Sequence, residues 1–343
     1  MNLKAGTIYF IGEKDLVSDQ LTPYTKLGLI REGEARTSMA RLSEHQTGNP
    51  RELVLRAEIN TPAVSELESV MHAIFAPYRV NGEWFILDQV QFQNALDVCN
   101  DLASELKIAL PTLKSAEAYS GEISDGNLIE PTPESLKWYA VHCIHQVVEK
   151  RCEGVLTQIK SVIRLEASNG DISSDIAEVG SRKTTFKLDK QSFKVAHPEI
   201  YAHYETTTTS ISGVFKVMAN ESNEIIGTGY PELDQLIVEV EALLQSERIS
   251  ENLDQLHKKH LQLIGIHSKA QLLKEIAKAH LRSLCGKADG IATVCTWKRT
   301  AKTKTSLNEK GLIERHPDLV APFMKETKVV TTLVVKRRSK PKE

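Results

Sequence analysis

Two stretches of this chain align without a gap, 184–217 with 303–336, and this internal duplication limits the possible folds more than any other feature. Thr184 matches Thr303, Leu188 matches Leu307, and Asp189 matches Asn308. His197-Pro198-Glu199-Ile200 matches His316-Pro317-Asp318-Leu319, and Tyr204 matches Phe323. Each copy follows a long helical stretch and ends in a strand-like run, Ser212–Val217 and Thr331–Lys336. The expectation is two helix–hairpin modules of similar shape, each packed on the helix before it.

Apolar spacing predicts those helices. Thr132-Pro133-Glu134 opens one that runs to about Leu165, with Leu136, Ala140, Cys143, Val147, Leu156, Ile159 and Ile163 as its apolar residues. A second helical region covers roughly 231–285, where Leu233, Leu236, Val240 and Leu243 repeat like a short coiled coil. Ser268 with Gln271 has capping-box spacing for its last helix, and Gly286 is the stop. His142 and His145 stand three apart near Cys143 and Cys152. With no second ligand pair nearby, they read as core or surface histidines before metal ligands.

The first 90 residues have a different rhythm. Thr7–Ile11 and Thr25–Ile30 alternate like strands. A helix follows from about Glu34 to Glu44, with Ala35, Met39 and Leu42 on its buried face, ending before Gly48-Asn49-Pro50. Residues 52–59 read as a strand. Thr61-Pro62 opens a second helix with an apolar stripe of Val64, Leu67, Met71, Ile74 and Phe75, and Trp84–Leu87 closes the unit as a strand. The fold class is therefore α+β: a small mixed sheet with flanking helices, then the two helix–hairpin modules. The boundaries are 1–90 for the sheet domain, 91–131 for a helix (91–109) and a polar connector from Pro111 to Pro133, 132–230 for the first module and 231–343 for the second.

A length of 343 residues suits two or three such domains. Five scattered cysteines without a Cys-x-x-Cys pair fit reduced thiols. The apolar part of Met1–Gly12 is short for a secretory signal, and no apolar run has membrane-spanning length, so the expectation is a cytoplasmic protein with no membrane partner. The net charge of -2 excludes nucleic-acid binding by overall charge. Basic residues nevertheless cluster at Lys298, Arg299, Lys302 and Lys304, and again at Lys336, Arg337, Arg338, Lys340 and Lys342. These read either as phosphate-binding patches or as a solvated strand end and a tail.

The order Gly6-Thr7-Ile8-Tyr9, Lys26-Leu27-Gly28, Arg41-Leu42-x-x-His45, Leu67-Glu68-x-x-x-His72 and Phe75-Ala76-Pro77-Tyr78-Arg79-Val80-Asn81-Gly82-Glu83-Trp84-Phe85 resembles the GIY-YIG superfamily of nuclease and DNA-binding domains. It is most similar to a DNA-binding branch first described in a phage, over about residues 5–90. The residues also have a chemical reading. Phosphodiester cleavage needs a base, a cation for developing charge and usually a metal. Tyr9 offers a phenol, Arg41 a planar phosphate fork with His45 one turn on, and Glu68 a hard oxygen ligand for Mg²⁺ with His72 one turn on. The resemblance implies Tyr9, Arg41, Glu68 and Asn81 as catalytic residues, Glu68 as the metal ligand, and DNA as the partner. Lys26, His45 and His72 are expected to contact DNA. Lys26 stands where many of these nucleases carry a second tyrosine; it removes one base and adds a cation, which favours binding over cleavage.

Trp297-Lys298-Arg299, Thr305-Ser306-Leu307 and His316-Pro317-Asp318-Leu319 are similar to the C-terminal part of YqaJ-type phage recombination exonucleases, over roughly 268–338 and more faintly 160–217. The catalytic core of that family does not accompany them. Here Trp297, Lys298 and Arg299 are expected as an accessory DNA surface, by stacking and phosphate contact. Three readings stay open: a phage- or prophage-type Mg²⁺-dependent DNA endonuclease, a DNA-binding module without cleavage, and an adaptor that joins protein partners or itself through the C-terminal helices.

Overall fold

The computed structural model describes residues 1–168, 176–178, 183–218, 230–246, 249–329 and 334–336, and its fold is of the α+β class. The chain begins β1 (Gly6–Lys14), β2 (Leu21–Arg31), α1 (Ser38–Gln46), β3 (Leu53–Thr61), α2 (Val64–Ile74), β4 (Arg79–Asn81) and β5 (Trp84–Ile86). The strands form one sheet in the order β3-β1-β2-β5-β4. It is antiparallel throughout, where a mixed sheet was expected. Alternation along β1 sends Ile8 and Phe10 to one face and Tyr9 and Ile11 to the other, and both rows are buried. The sheet therefore needs cover on two sides. Its Ile8 face packs with Leu67 and Met71 of α2, and its Tyr9 face packs with Leu42 of α1.

Local capping decides where α1 starts. The Thr37 side chain accepts the backbone N–H of Ala40, so the helix begins after Thr37 and not near Glu34. Ala35 falls outside it and Met39 is exposed; of the expected stripe only Leu42 packs. In α2 the stripe holds: Val64, Leu67, Val70 and Met71 are buried, each contributing about 1.5–3 kcal/mol relative to an exposed side chain. Pro62 precedes the Ala63 cap instead of occupying the first turn.

The next helix, α3 (Gln89–Ser120), is capped reciprocally by Asp88 and Gln91 and runs straight through Pro111. The connector expected from Pro111 onward is thus helical to Ser120. A proline inside a helix costs about 3 kcal/mol. Leu106, Ala109, Leu113 and Ala116, buried on one stripe across that position, offset it. These residues share the core of the sheet, so that core continues past residue 90.

After β6 (Leu128–Ile129), α4 (Pro133–Ser168) and β7 (Ala177–Glu178) comes the first duplicated segment: β8 (Lys183–Leu188), α5 (Lys190–Ala196), α6 (Pro198–Tyr204), β9 (Glu205–Gly213), then β10 (Lys216–Val217). The chain continues through α7 (Pro231–Leu244), α8 (Leu253–Cys285), β11 (Gly290–Ile291) and β12 (Cys295–Thr296). The second segment is β13 (Arg299–Leu307), α9 (Glu309–Arg315), α10 (Pro317–Val320) and β14 (Met324–Val329), with β15 (Val334–Val335) at the end. Ser268 and Gln271 lie inside α8 and cap nothing, because the buried row Leu263, Ile264, Ala270, Leu272 and Ile276 never breaks. Gly286, at φ +55°, ends it as expected. Helices α4, α7 and α8 share one core. Leu272, Ile276 and Ala279 of α8 also enter the core under the sheet. At Gly265 a Cβ would sit 2.9 Å from Ile74 Cα, so α8 approaches α2 backbone to backbone.

The two copies share one element order: strand, helix, helix, strand. Asp189 caps the N–H of Ser192 and its counterpart Asn308 caps Gly311. His197 and His316 join the paired helices with nearly the same backbone angles, followed in each case by proline in the first turn. The expected hairpins, however, are exchanged between copies. β8 pairs with β14 and β9 with β13. Leu188 opposes Met324, and its counterpart Leu307 opposes Glu205, which the alignment makes the same pairing seen twice. The copies are therefore related by a local pseudo-two-fold, with Leu188, Phe193, Tyr204, Leu312 and Val320 as their common core. Residues 331–333 and the basic tail Arg337, Arg338, Lys340 and Lys342 lie outside the described residues. Among the described residues no helix is long and apolar enough to cross a membrane.

Candidate functional site

Tyr9 stands at the middle of β1, directly opposite Gly28 of β2. A Cβ at Gly28 would lie 2.4 Å from the phenol oxygen and 2.6 Å from the ring carbon bearing it, so the ring lies across β2 only because residue 28 has no side chain. Helix α1 covers this ring with Arg41 and His45, four residues apart on one face. The phenol oxygen is 3.4 Å from His45 Nε2, and the Arg41 guanidinium, ion-paired with Glu44 at 2.6 Å, lies close enough to act on it electrostatically. Tyr9 is fully buried. Burial lifts its pKa above the ordinary value, and Arg41 opposes that only in part. The expected phenolic base is thus sealed beneath its neighbours, with half-buried His45 between it and the surface.

Strand β5 pairs with β2 only over Tyr24, Thr25 and Lys26, and two flanking backbone bonds join Leu87 to Pro23 and Leu27 to Glu83. Beyond this point the outer edge of β2 is free for α2. There His72 Nε2 lies 3.1 Å from the Leu27 carbonyl, and Arg31 reaches Ser65. Glu68, one turn before His72, is half-buried. Its carboxyl is pushed up to about 7, first by burial and then by the Glu83 carboxylate, against the pull of Arg31, Lys26 and Arg79. Lys26 is itself buried and donates to Glu83 Oε2 at 2.5 Å. Burial works to raise Glu83, but the Lys26 hydrogen bond and charge hold it below its ordinary value. His45 and His72 are both depressed, chiefly by burial, and the Lys26 charge adds to this.

Tyr9, Lys26, Arg41, His45, Glu68 and His72, spread over four elements, are therefore joined by hydrogen bonds or mutual electrostatics around one end of β2. Asn81 is exposed at the end of β4, paired with Trp84, which in turn pairs with Lys26. Lys26 departs from its expected role: its ammonium is committed to Glu83 and not displayed to solvent. Glu83, Arg31 and Arg79 belong to the site and were not expected there. Glu83 lies inside the Asn81-Gly82-Glu83-Trp84 string, but only the β2·β5 register reveals that it meets Lys26. Chemically the site offers arginines for an anion, two imidazoles that are neutral at neutral pH, and a carboxyl poised between its two charge states.

One other expectation is corrected. Trp297 and Arg299 are 2% and 1% exposed. The indole is packed by Phe215, Arg282 and Arg299, and the Arg299 guanidinium donates to the carbonyls of Glu122, Trp297 and Gly286. They staple the turn after α8 and have no face for DNA; only Lys298 of the three is exposed. His142 and His145 are also internal, both pushed down to about 4, mainly by burial. Among the described residues the donor atoms of Glu149, Glu153 and His267 converge as a metal would require, although Glu149 is already ion-paired with Lys274. Glu68 is not part of any such group among the described residues, so a cation there would draw its other ligands from water and phosphate.

No family model, curated protein or solved structure matches this chain.

Proposed function

We propose that the sheet domain binds DNA and hydrolyses its phosphodiester bonds with Mg²⁺ held at Glu68. The observation that carries this reading is the Glu68 carboxyl, raised to about 7 beside a second carboxylate and three cations. A carboxyl raised by burial and by like charge gains most when a dication binds, because the ion relieves both penalties. Mg²⁺ tolerates a single carboxylate when waters and phosphate oxygens complete its octahedron. Arg41, beside Tyr9 and His45, is ion-paired through Nη1 with Glu44, and its planar fork would take a phosphate oxygen in exchange for that carboxylate. His45, neutral at neutral pH and nearer the surface than Tyr9, is the better acceptor for a proton from water, with Tyr9 fixing its ring.

The reading is tested by incubating the purified chain with branched, single-stranded and duplex DNA, with Mg²⁺ or with a chelator. Cleavage of at least one substrate that the chelator abolishes is the expected result. A second reading, DNA binding without cleavage, is favoured by the sealed Tyr9 phenol and the committed Lys26 ammonium. It takes over if no substrate is cut with Mg²⁺ or Mn²⁺ while DNA is still bound.

A further inference from the structure

The ribbon of β9 and β13 lacks cover on either face along its middle. Its register runs from Leu307 opposite Glu205 to Arg299 opposite Gly213. Residues 206–210 and 301–306 are all exposed. A two-stranded ribbon without a covered face is marginal in isolation. This one is held at its ends, by buried Arg299 at one and by Leu307 against the common core of the copies at the other.

The two faces differ. Residues directly opposite each other point the same way, and successive ones alternate. On one face Thr303 and Thr305 meet Thr209 and Thr207, with hydroxyl oxygens 3.2 and 3.1 Å apart, a ladder that stiffens the ribbon. The other face carries Lys302 and Lys304 opposite Ser210 and Thr208. Among the described residues neither lysine has a carboxylate partner, nor does exposed Lys298 at the ribbon's root. The one acid of the ribbon, Glu205, lies at its far end and is held by Lys194 at 3.1 Å. The pseudo-two-fold partner, β8 with β14, differs in this respect, because its Lys325 is ion-paired with Asp189 at 2.5 Å.

We propose that the β9·β13 ribbon is an arm that binds a nucleic-acid duplex along its phosphate backbone, with Lys298, Lys302 and Lys304 as its cationic contacts. The lysine face holds ammonium and hydroxyl groups and no aromatic or aliphatic anchor, whereas protein interfaces concentrate apolar residues and are depleted in lysine. Lys302 and Lys304 stand about 6.8 Å apart along the strand, close to two base-pair rises along a duplex axis at about 3.4 Å each. A two-stranded ribbon also has the width that a major groove admits. The arm forms a surface separate from the Glu68 site, and the proposal holds whether or not that site cuts DNA.

The test uses the full chain and fluorescent duplexes of unrelated sequence, with binding read by anisotropy across a salt series. Changing Lys298, Lys302 and Lys304 together to Ala should lower the slope of log affinity against log salt by about 2.7, roughly 0.9 per lost phosphate contact. That is about 500-fold weaker binding near 0.1 M salt, extrapolated from 1 M, on every sequence alike. The same three positions changed to Arg should restore both affinity and slope, and Glu68→Gln should leave the slope intact. An unchanged slope in the Ala variant, failure of the Arg variant to restore it, or no duplex binding by the wild type would each overturn the proposal. Tighter binding of polyglutamate than of duplex would overturn it in favour of an acidic protein. Loss of cleavage in Glu68→Gln with a full salt slope keeps the two sites distinguishable.

Discussion

Replacing Gly28 by Ala should deform the candidate site from within the sheet, through Tyr9. The added methyl would stand 2.4 Å from the phenol oxygen, 2.6 Å from the ring carbon bearing it and 3.1 Å from the next ring carbon. All three contacts are shorter than van der Waals separation, and the ring is fully buried, so it has no free space to swing into. Overpacking of this kind costs about 1–3 kcal/mol. The backbone of Gly28 is not in the left-handed region, so little of the cost is conformational. Tyr9→Leu removes all three crowded atoms at a cost of its own. In the double variant the Gly28 penalty should largely vanish, giving a coupling of at least about 1 kcal/mol in a double-mutant cycle. Urea unfolding of the four proteins measures it. If Gly28→Ala is as costly in the Tyr9→Leu background as in the wild type, the close approach is not what glycine supplies here.

His142, pushed down to about 4 mainly by burial with Lys274 and Lys278 adding to it, is neutral in both folded and unfolded chains above about pH 6.5. Between about 6.5 and 4 the unfolded chain takes the proton first, so stability falls with pH by about 3 kcal/mol over that window. Thermal unfolding across it should be shallower in His142→Gln and flatten only when His145, pushed down to about 4 as well, is also replaced. Gly265→Val should push α8 off the Ile74 backbone, cost about 1–3 kcal/mol and expose the α2–α8 contact to limited proteolysis; unchanged urea stability would refute that packing. Arg299→Met should leave the carbonyls of Glu122, Trp297 and Gly286 without their donor and cost about 2–4 kcal/mol in urea unfolding; unchanged stability would refute that role.

Elements with strong apolar periodicity were legible in the sequence: the stripes of α2 and α7, the later part of α4 at Leu156, Ile159 and Ile163, and the order of the duplicated segments; Leu136 and Ala140 of the expected α4 stripe are exposed. Where the reading failed, a local signal was outvoted by burial. Pro111 and the Ser268–Gln271 spacing look like breaks, yet both sit inside long helices whose buried rows continue past them. At α1 the reverse happened: the Thr37 cap overrode an apolar pattern that began earlier. Partner exchange between the two copies was out of reach because strand pairing at long separation leaves no mark in either strand alone. The same limit hid Glu83, whose meeting with Lys26 depends on β2·β5 register. Trp297 and Arg299 were misread for a different reason. A buried arginine satisfied by carbonyls and a surface arginine look alike in sequence, and only the turn after α8 separates them.

The central claim is that Glu68 holds the ion on which DNA cleavage depends. Its most direct measurement compares wild type and Glu68→Gln on the same labelled DNA, with cleavage followed in Mg²⁺ and binding followed by anisotropy in chelator. Glutamine keeps the shape and removes the charge that a hard cation needs. The account predicts equal or tighter DNA binding by the variant and loss of Mg²⁺-dependent cleavage by at least about 100-fold, the scale of other metal-site losses. Equal cleavage by the two proteins would contradict it and move the chemistry away from Glu68.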